Sequence, residues 1–201
     1  MRSEITKLVR NSQIFCEKYK EDITDIILFG SIMRGKEKPQ DIDILIIFNK
    51  NINKDIEYGY RKHVSKKYKN ISVISKTQKN ICDSSFAARE AILFEGYSLI
   101  KKEFVASRYG FISLGKFLYH TKSLSNTKKT RFYYALNGRG ASQGIINLLN
   151  AIKLSDNIIN VPLDKIETAK GFFEYWNIEY IYVPLLIPAR LAKKHIISKV
   201  S

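Results

Sequence analysis

Two aspartates, Asp41 and Asp43, stand two residues apart at the head of the apolar run Ile44-Leu45-Ile46. On a β-strand, residues i and i+2 point to the same face, and a rise of about 3.3 Å per residue lets their carboxylates converge on one small volume. Carboxylates that close repel and raise each other's pKa, so the pair makes chemical sense around a cation. Hard oxygen donors select Mg²⁺ or Mn²⁺. Upstream, Gly30-Ser31 closes a second apolar run, Ile26-Ile27-Leu28-Phe29. A short helix expected over residues 32–37 would turn its first N–H groups outward, where they bind phosphate. Gly30 allows close backbone approach, the Ser31 hydroxyl adds a donor, and Arg34 follows one turn later to reach a phosphate oxygen. The combination describes a triphosphate held at a helix start with metal on the adjacent strand, the architecture of phosphoryl transfer.

These residues need two buried strands and flanking helices to position them. Ile5, Leu8, Val9, Phe15, Cys16 and Tyr19 recur at helical spacing after Ser3, a capping residue. Residues 26–29 read as a strand ending at Gly30, and Asp41 to Phe48 as a second, apolar on both faces and hence central in a sheet. Lys54 to Tyr68 carries Ile56, Tyr60, Val64 and Tyr68 at helical steps, Asn70 to Ser75 reads as a third strand, and Ser84 to Glu95 as a helix stopped by Gly96. Residues 1–102 thus form one compact α/β unit. Residues 103–201 read as a smaller α+β domain. It holds strands over 111–119, 158–161 and 178–186, helices over 126–136, 142–152 and 163–176, and a basic last helix over 190–198. Gly138 to Gly144 reads as a flexible connection, and Trp176 as an anchor of the second core.

The composite pattern Phe29-Gly30-Ser31, Arg34-Gly35, then Asp41-Ile42-Asp43 before Ile44-Leu45-Ile46 resembles the DNA polymerase β nucleotidyltransferase superfamily. Within it the chain resembles the small stand-alone nucleotidyltransferases common in prokaryotes. The resemblance spans roughly residues 20–102, including Phe94-Glu95-Gly96-Tyr97. It implies transfer of a nucleoside monophosphate from an NTP to an acceptor hydroxyl, with Asp41 and Asp43 as catalytic metal ligands and Gly30, Ser31 and Arg34 on the nucleotide. Active members carry a third carboxylate on the next strand. Here that strand reads Asn70-Ile71-Ser72-Val73-Ile74-Ser75, with Ser72 near the expected place. The nearby acids have simpler uses, Asp83 as a helix cap and Asp55 and Glu57 at a helix start. Three routes remain open: a carboxylate from elsewhere, such as Glu95 or the second domain; turnover with two ligands; or binding of nucleotide or RNA without turnover.

Charge bears on the acceptor. The chain holds 34 Lys and Arg against 19 Asp and Glu, with 20 basic and 13 acidic residues up to Lys102 and 14 and 6 after it. A field of that sign draws polyanions, nucleic acid first, although Ile, Asn and Lys abundance of the kind found in low-GC genomes accounts for part of it. Residues 116–139 interleave rings and cations, with Lys128, Lys129, Arg131, Tyr133 and Arg139 as candidate nucleic-acid contacts. The same pattern also arises if the rings face a core and the lysines are merely solvated. An RNA 3′ end, of tRNA first, ranks ahead as acceptor. A protein hydroxyl in a toxin–antitoxin-type pair, and a non-catalytic RNA-binding role, stand as competitors. Cys16 and Cys82 lack metal-ligand spacing, and His63, His120 and His195 are scattered. With no long apolar run and no signal-like amino terminus, a cytoplasmic protein without membrane association is expected.

Overall fold

The computed structural model describes residues 3–65, 68 and 70–191. In chain order the elements are α1 (Ser3–Lys18), β1 (Ile23–Phe29), β2 (Ile42–Phe48), α2 (Lys54–Ser65), β3 (Ile71–Thr77), α3 (Arg89–Glu95), β4 (Tyr97–Ser98), β5 (Glu103–Phe104) and α4 (Val105–Arg108). They continue with β6 (Phe111–Tyr119), α5 (Asn126–Asn137), β7 (Gly138–Arg139), β8 (Ser142–Gln143), α6 (Ile145–Leu148), β9 (Ile152–Ser155) and β10 (Ile158–Pro162). A 3₁₀ turn (Leu163–Lys165) leads into α7 (Ile166–Tyr175), and β11 (Tyr180–Pro188) follows. Among the described residues two compact units result, one of residues 3–33 with 37–109 and one of residues 34–36 with 110–191.

In the first unit a five-stranded mixed sheet runs β3-β2-β1-β4-β5, with β2 and β3 parallel and the other pairs antiparallel. From Ile26 in β1 and from Ile44 in β2 the strands are apolar without alternation because both their faces are covered there. Ile26, Leu28, Ile44, Ile46 and Phe48 share a core with Leu8, Phe15, Ile56 and Tyr60 of α1 and α2. Ile27, Leu45 and Ile47 pack on the other face with Phe86, Ile92 and Val105. Asn53 caps α2, its Oδ1 accepting the N–H groups of Asp55 and Ile56. The buried Tyr60 hydroxyl lies 2.7 Å from that of Ser12, and burial pushes its pKa up despite that bond.

Asp25, 1% exposed, is the most deeply buried acid of this unit, ahead of Glu95 and Glu57. Its carboxylate accepts the Ser98 hydroxyl at 2.6 Å and pairs with Arg108 at 2.8 Å, and Arg108 Nε donates to Glu103 at 2.7 Å. This network, with the edge-on contact of Tyr97 and Phe104 at 5.2 Å, holds β4, β5 and α4 to the sheet. The first unit therefore runs to Tyr109.

In the second unit an antiparallel sheet of order β11-β6-β10-β9 forms the frame. Phe117 and Phe173, both fully buried, stack with centroids 5.5 Å apart. Gly115 lets α7 close on β6, since a Cβ there would press on Ile166 and Tyr182. Trp176 sits half-buried beside Phe132 and Phe172, at the rim of this aromatic core rather than its centre.

Several expected elements change. Residues 31–35 form a turn, and no helix forms over 32–37. Gly30 and Gly35 have φ of +87° and +96°, which break helical geometry. Helix α3 begins at Arg89, not Ser84, because Asp83 Oδ1 accepts the Ser85 N–H in a turn. The helix expected over 142–152 shrinks to one turn, α6. Its start pairs with β7 as β8, and Ile152 opens β9. Gly138 to Gln143 is thereby a small hairpin rather than a loose connection. The basic last helix lies mostly outside the described residues.

Candidate functional site

The first unit brings Gly30, Asp41, Asp43, Ser72 and Glu95 to one end of its sheet. Register sets Asp43 opposite Phe29 on β1 and beside Ser72 on β3. Gly30, the next residue after β1, is therefore close to Asp43. An added Cβ at Gly30 would overlap the Asp43 carboxylate oxygen Oδ2. Asp43 is half-buried and Asp41 exposed. Asp43 lies within β2, two and four residues before Leu45 and Ile47 and so on their face, whereas Asp41 stands just before the strand begins.

Gly30 is held from its other side too. Its N–H donates to Glu95 Oε1 at 2.9 Å, and Glu95, at the end of α3, is 3% exposed. A buried carboxylate needs such a partner. The bond also means that the Gly30 N–H points to protein, so the helix-start phosphate cradle expected around residues 32–37 is not the geometry present. In its place is a tight turn in which the Met33 N–H donates to Gly30 C=O at 3.0 Å, pinned by the buried Ile32 and Met33.

Arg34 and the two residues after it belong to the second unit. Arg34 Nε donates to Glu167 Oε1 at 3.0 Å, and the Glu167 N–H donates to Arg34 C=O at 3.1 Å. Lys170 reaches the same Glu167 oxygen at 2.9 Å. Burial acts to raise the Glu167 pKa, but the hydrogen bonds and charges of Lys170 and Arg34 outweigh it and hold the carboxyl below its usual range. No feature of the sequence marked Glu167, because the pairing spans 133 positions.

The strand pairing also locates the missing acid. Ser72, exposed, occupies the β3 position next to Asp43, and β3 carries no carboxylate. Glu95, the alternative source in sequence, reaches Gly30. Among the described residues no three His, Cys, Asp or Glu side chains are grouped to hold a metal. Two aspartate carboxylates nonetheless fit one Mg²⁺ or Mn²⁺, which takes one or two protein carboxylates and completes its shell with water and substrate phosphate. The absent Cβ of Gly30 leaves the room that the Asp43 carboxylate occupies.

Of the remaining candidates, Lys128, Arg131, Tyr133 and Arg139 are exposed and Lys129 half-buried, on α5 and β7. Phe132 and Leu136 of the same helix, like Phe117 and Tyr119 of β6, face the core. The rings of the interleaved segment therefore divide between the core and the surface. No described helix is long and apolar enough to cross a membrane.

Residues 9–97 match the family model of the nucleotidyltransferase domain. No curated protein and no solved structure matches the chain significantly. The N-terminal part of the chain is a nucleotidyltransferase domain of the polymerase β-like kind, and the protein is accordingly a transferase.

Proposed function

We propose that this nucleotidyltransferase-domain protein transfers a nucleoside monophosphate from an NTP to the 3′ hydroxyl of an RNA, tRNA first, in the cytoplasm. The observation that carries the transfer is the packing of Asp43 against the Cβ-less Gly30 at the end of β1, with Asp41 just before the start of β2. Asp41 and Asp43 would hold Mg²⁺ or Mn²⁺. When bound, the ion would neutralise phosphate charge and acidify the attacking hydroxyl.

The chain's own residues do the rest. The Gly30 turn, fixed by Glu95, leaves room for the Asp43 carboxylate, and Ser31 next to it would donate to a phosphate oxygen. Arg34 is assigned to phosphate by its place in the motif, and Glu167 shares its guanidinium. The acceptor hydroxyl attacks the α-phosphorus, the bond to the bridging oxygen breaks, and pyrophosphate leaves. RNA is favoured as acceptor by the +15 net charge, present on both halves of the chain.

The test is incubation with each α-³²P-labelled NTP, Mg²⁺ or Mn²⁺, and total cellular RNA and protein. Label is expected on RNA, falling by about a hundredfold or more in Asp41→Ala and in Asp43→Asn with the fold retained. Label on a protein band would replace the RNA acceptor by a protein hydroxyl. No label with any NTP, or label unchanged in both variants, would sink the transfer reading and leave an RNA-binding role.

A further inference from the structure

We propose that the second unit carries a docking site for one unpaired base of single-stranded RNA, with Tyr133 as its stacking platform. This rests on the reading of RNA as the acceptor and says where the second unit would grip it. The site is an open cleft of about 410 Å³ between α5 and the turn joining β9 to β10, walled by Thr121, Lys129, Tyr133, Tyr134, Lys153 and Asn157.

Tyr133 is 53% exposed and Tyr134 37%, on a helix whose inward positions are taken by Phe132 and Leu136. Packing of the second unit therefore does not require either ring. Each ring is nevertheless met by a cation from a different strand. Lys153 Nζ of β9 lies 5.6 Å from the Tyr133 centroid, and Arg139 Cζ of β7 lies 4.6 Å from that of Tyr134. Lys129 stands one helical turn before Tyr133 on the same face, with Lys128 and Arg131 exposed nearby. Helix α5 has no acidic residue at all.

The facing wall is built rather than loose. The Tyr119 hydroxyl donates to the Asp156 carbonyl at 2.8 Å, and burial with the nearby Asp156 charge pushes its pKa up to about 12. The Asp156 carboxylate accepts from Lys153 at 2.8 Å, which holds that ammonium at the cleft. Asn157 adds an amide that can both donate to and accept from a base edge.

Flat exposed rings flanked by cations suit a base and its phosphates, since every base has a π-face and the backbone is anionic. A duplex hides its bases in the stack, so the cleft selects an unpaired strand. An acidic peptide would satisfy the cations but leave the rings unused.

The experiment is fluorescence anisotropy of the full chain with a labelled, unstructured 20-nucleotide RNA and with the same RNA fully paired. The single strand is expected to bind at least tenfold tighter than the duplex. Tyr133→Ala should weaken single-strand binding about tenfold or more, while Tyr133→Phe, which keeps the ring, stays within about twofold. Lys153→Ala should reduce the slope of log affinity against log salt by about one. Tyr133 is exposed, so its variants are expected to melt like the wild type, and the melting curve checks this. Equal binding by Tyr133→Ala and wild type, or equal binding of duplex and single strand, overturns the proposal. RNA binding that is sensitive to Tyr133 in a protein that labels nothing would sink the transfer reading alone. Labelled RNA with no Tyr133 dependence would sink this one alone.

Discussion

At Gly30 the absence of one carbon lets three groups meet. The φ of +87° turns the chain out of β1, the N–H enters the Glu95 carboxylate, and the vacant Cβ position is filled by the Asp43 carboxylate. Gly30→Ala would carry two penalties together. A non-glycine residue in left-handed geometry costs about 1–2 kcal/mol, and the new methyl group would push Asp43 aside. The expected outcome is a fall of about tenfold or more in NMP transfer with a modest drop in melting temperature. Transfer at wild-type rate in a folded Gly30→Ala protein would show that Asp43 need not be held where the structure has it. Ser72 makes the complementary point. Its position beside Asp43 is set by strand pairing, so the absent third acid reflects what β3 carries and not a slipped register.

At the scale of elements, the short strands β4 and β5 and the single turn α4 depend on one buried ion pair. Asp25 is closed from solvent, accepts from Ser98 and the Ile26 N–H, and is balanced by Arg108. Removing one partner of a buried pair leaves an uncompensated charge, which costs about 3–5 kcal/mol. Arg108→Ala is therefore expected to destabilise the first unit by about that amount in urea unfolding, and a change below about 1 kcal/mol would refute the dependence. The sequence reading missed these elements because two-residue strands have no periodicity, and because Arg108 was distant from Asp25 in sequence. The long elements were legible for the opposite reason. The apolar runs Ile26–Phe29 and Ile44–Phe48 fall inside β1 and β2, and the segment 111–119 expected to be extended is β6 to the residue.

Across the whole molecule, the segment 34–36 is counted with a unit whose main body begins at Gly110. Glu167 is the group that receives it. Its folded pKa lies below the ordinary 4.5, although burial alone would raise it. A depressed carboxyl stabilises the fold above its unfolded pKa, and that stability is lost as pH falls through the folded value. Melting temperatures measured from pH 7 to pH 3 should therefore decline below about pH 4.5. Glu167→Gln should be less stable at neutral pH and show a shallower decline. Parallel curves for the two proteins would mean that Glu167 gains nothing from Arg34 and Lys170. The charge excess is likewise a property of the whole chain. It is spread over both halves and predisposes the molecule toward polyanions without selecting one.

The sequence alone determined the nucleotidyltransferase domain and singled out Gly30, Ser31, Asp41 and Asp43 as its candidate residues. Gly-Ser and Asp-x-Asp are local patterns, and each sits at the edge of an apolar run whose strand character is itself local. Tertiary structure decided what those residues touch. The turn after Gly30 replaced a helix because two left-handed glycines interrupt it, Glu95 proved to be the acceptor of the Gly30 N–H, and Arg34 found Glu167. It also sorted the rings of residues 116–139, sending Phe117, Tyr119 and Phe132 inward and leaving Tyr133 and Tyr134 beside Lys153 and Arg139. Such pairings join positions far apart in the chain, and they exist only once burial has settled which face of each element is covered.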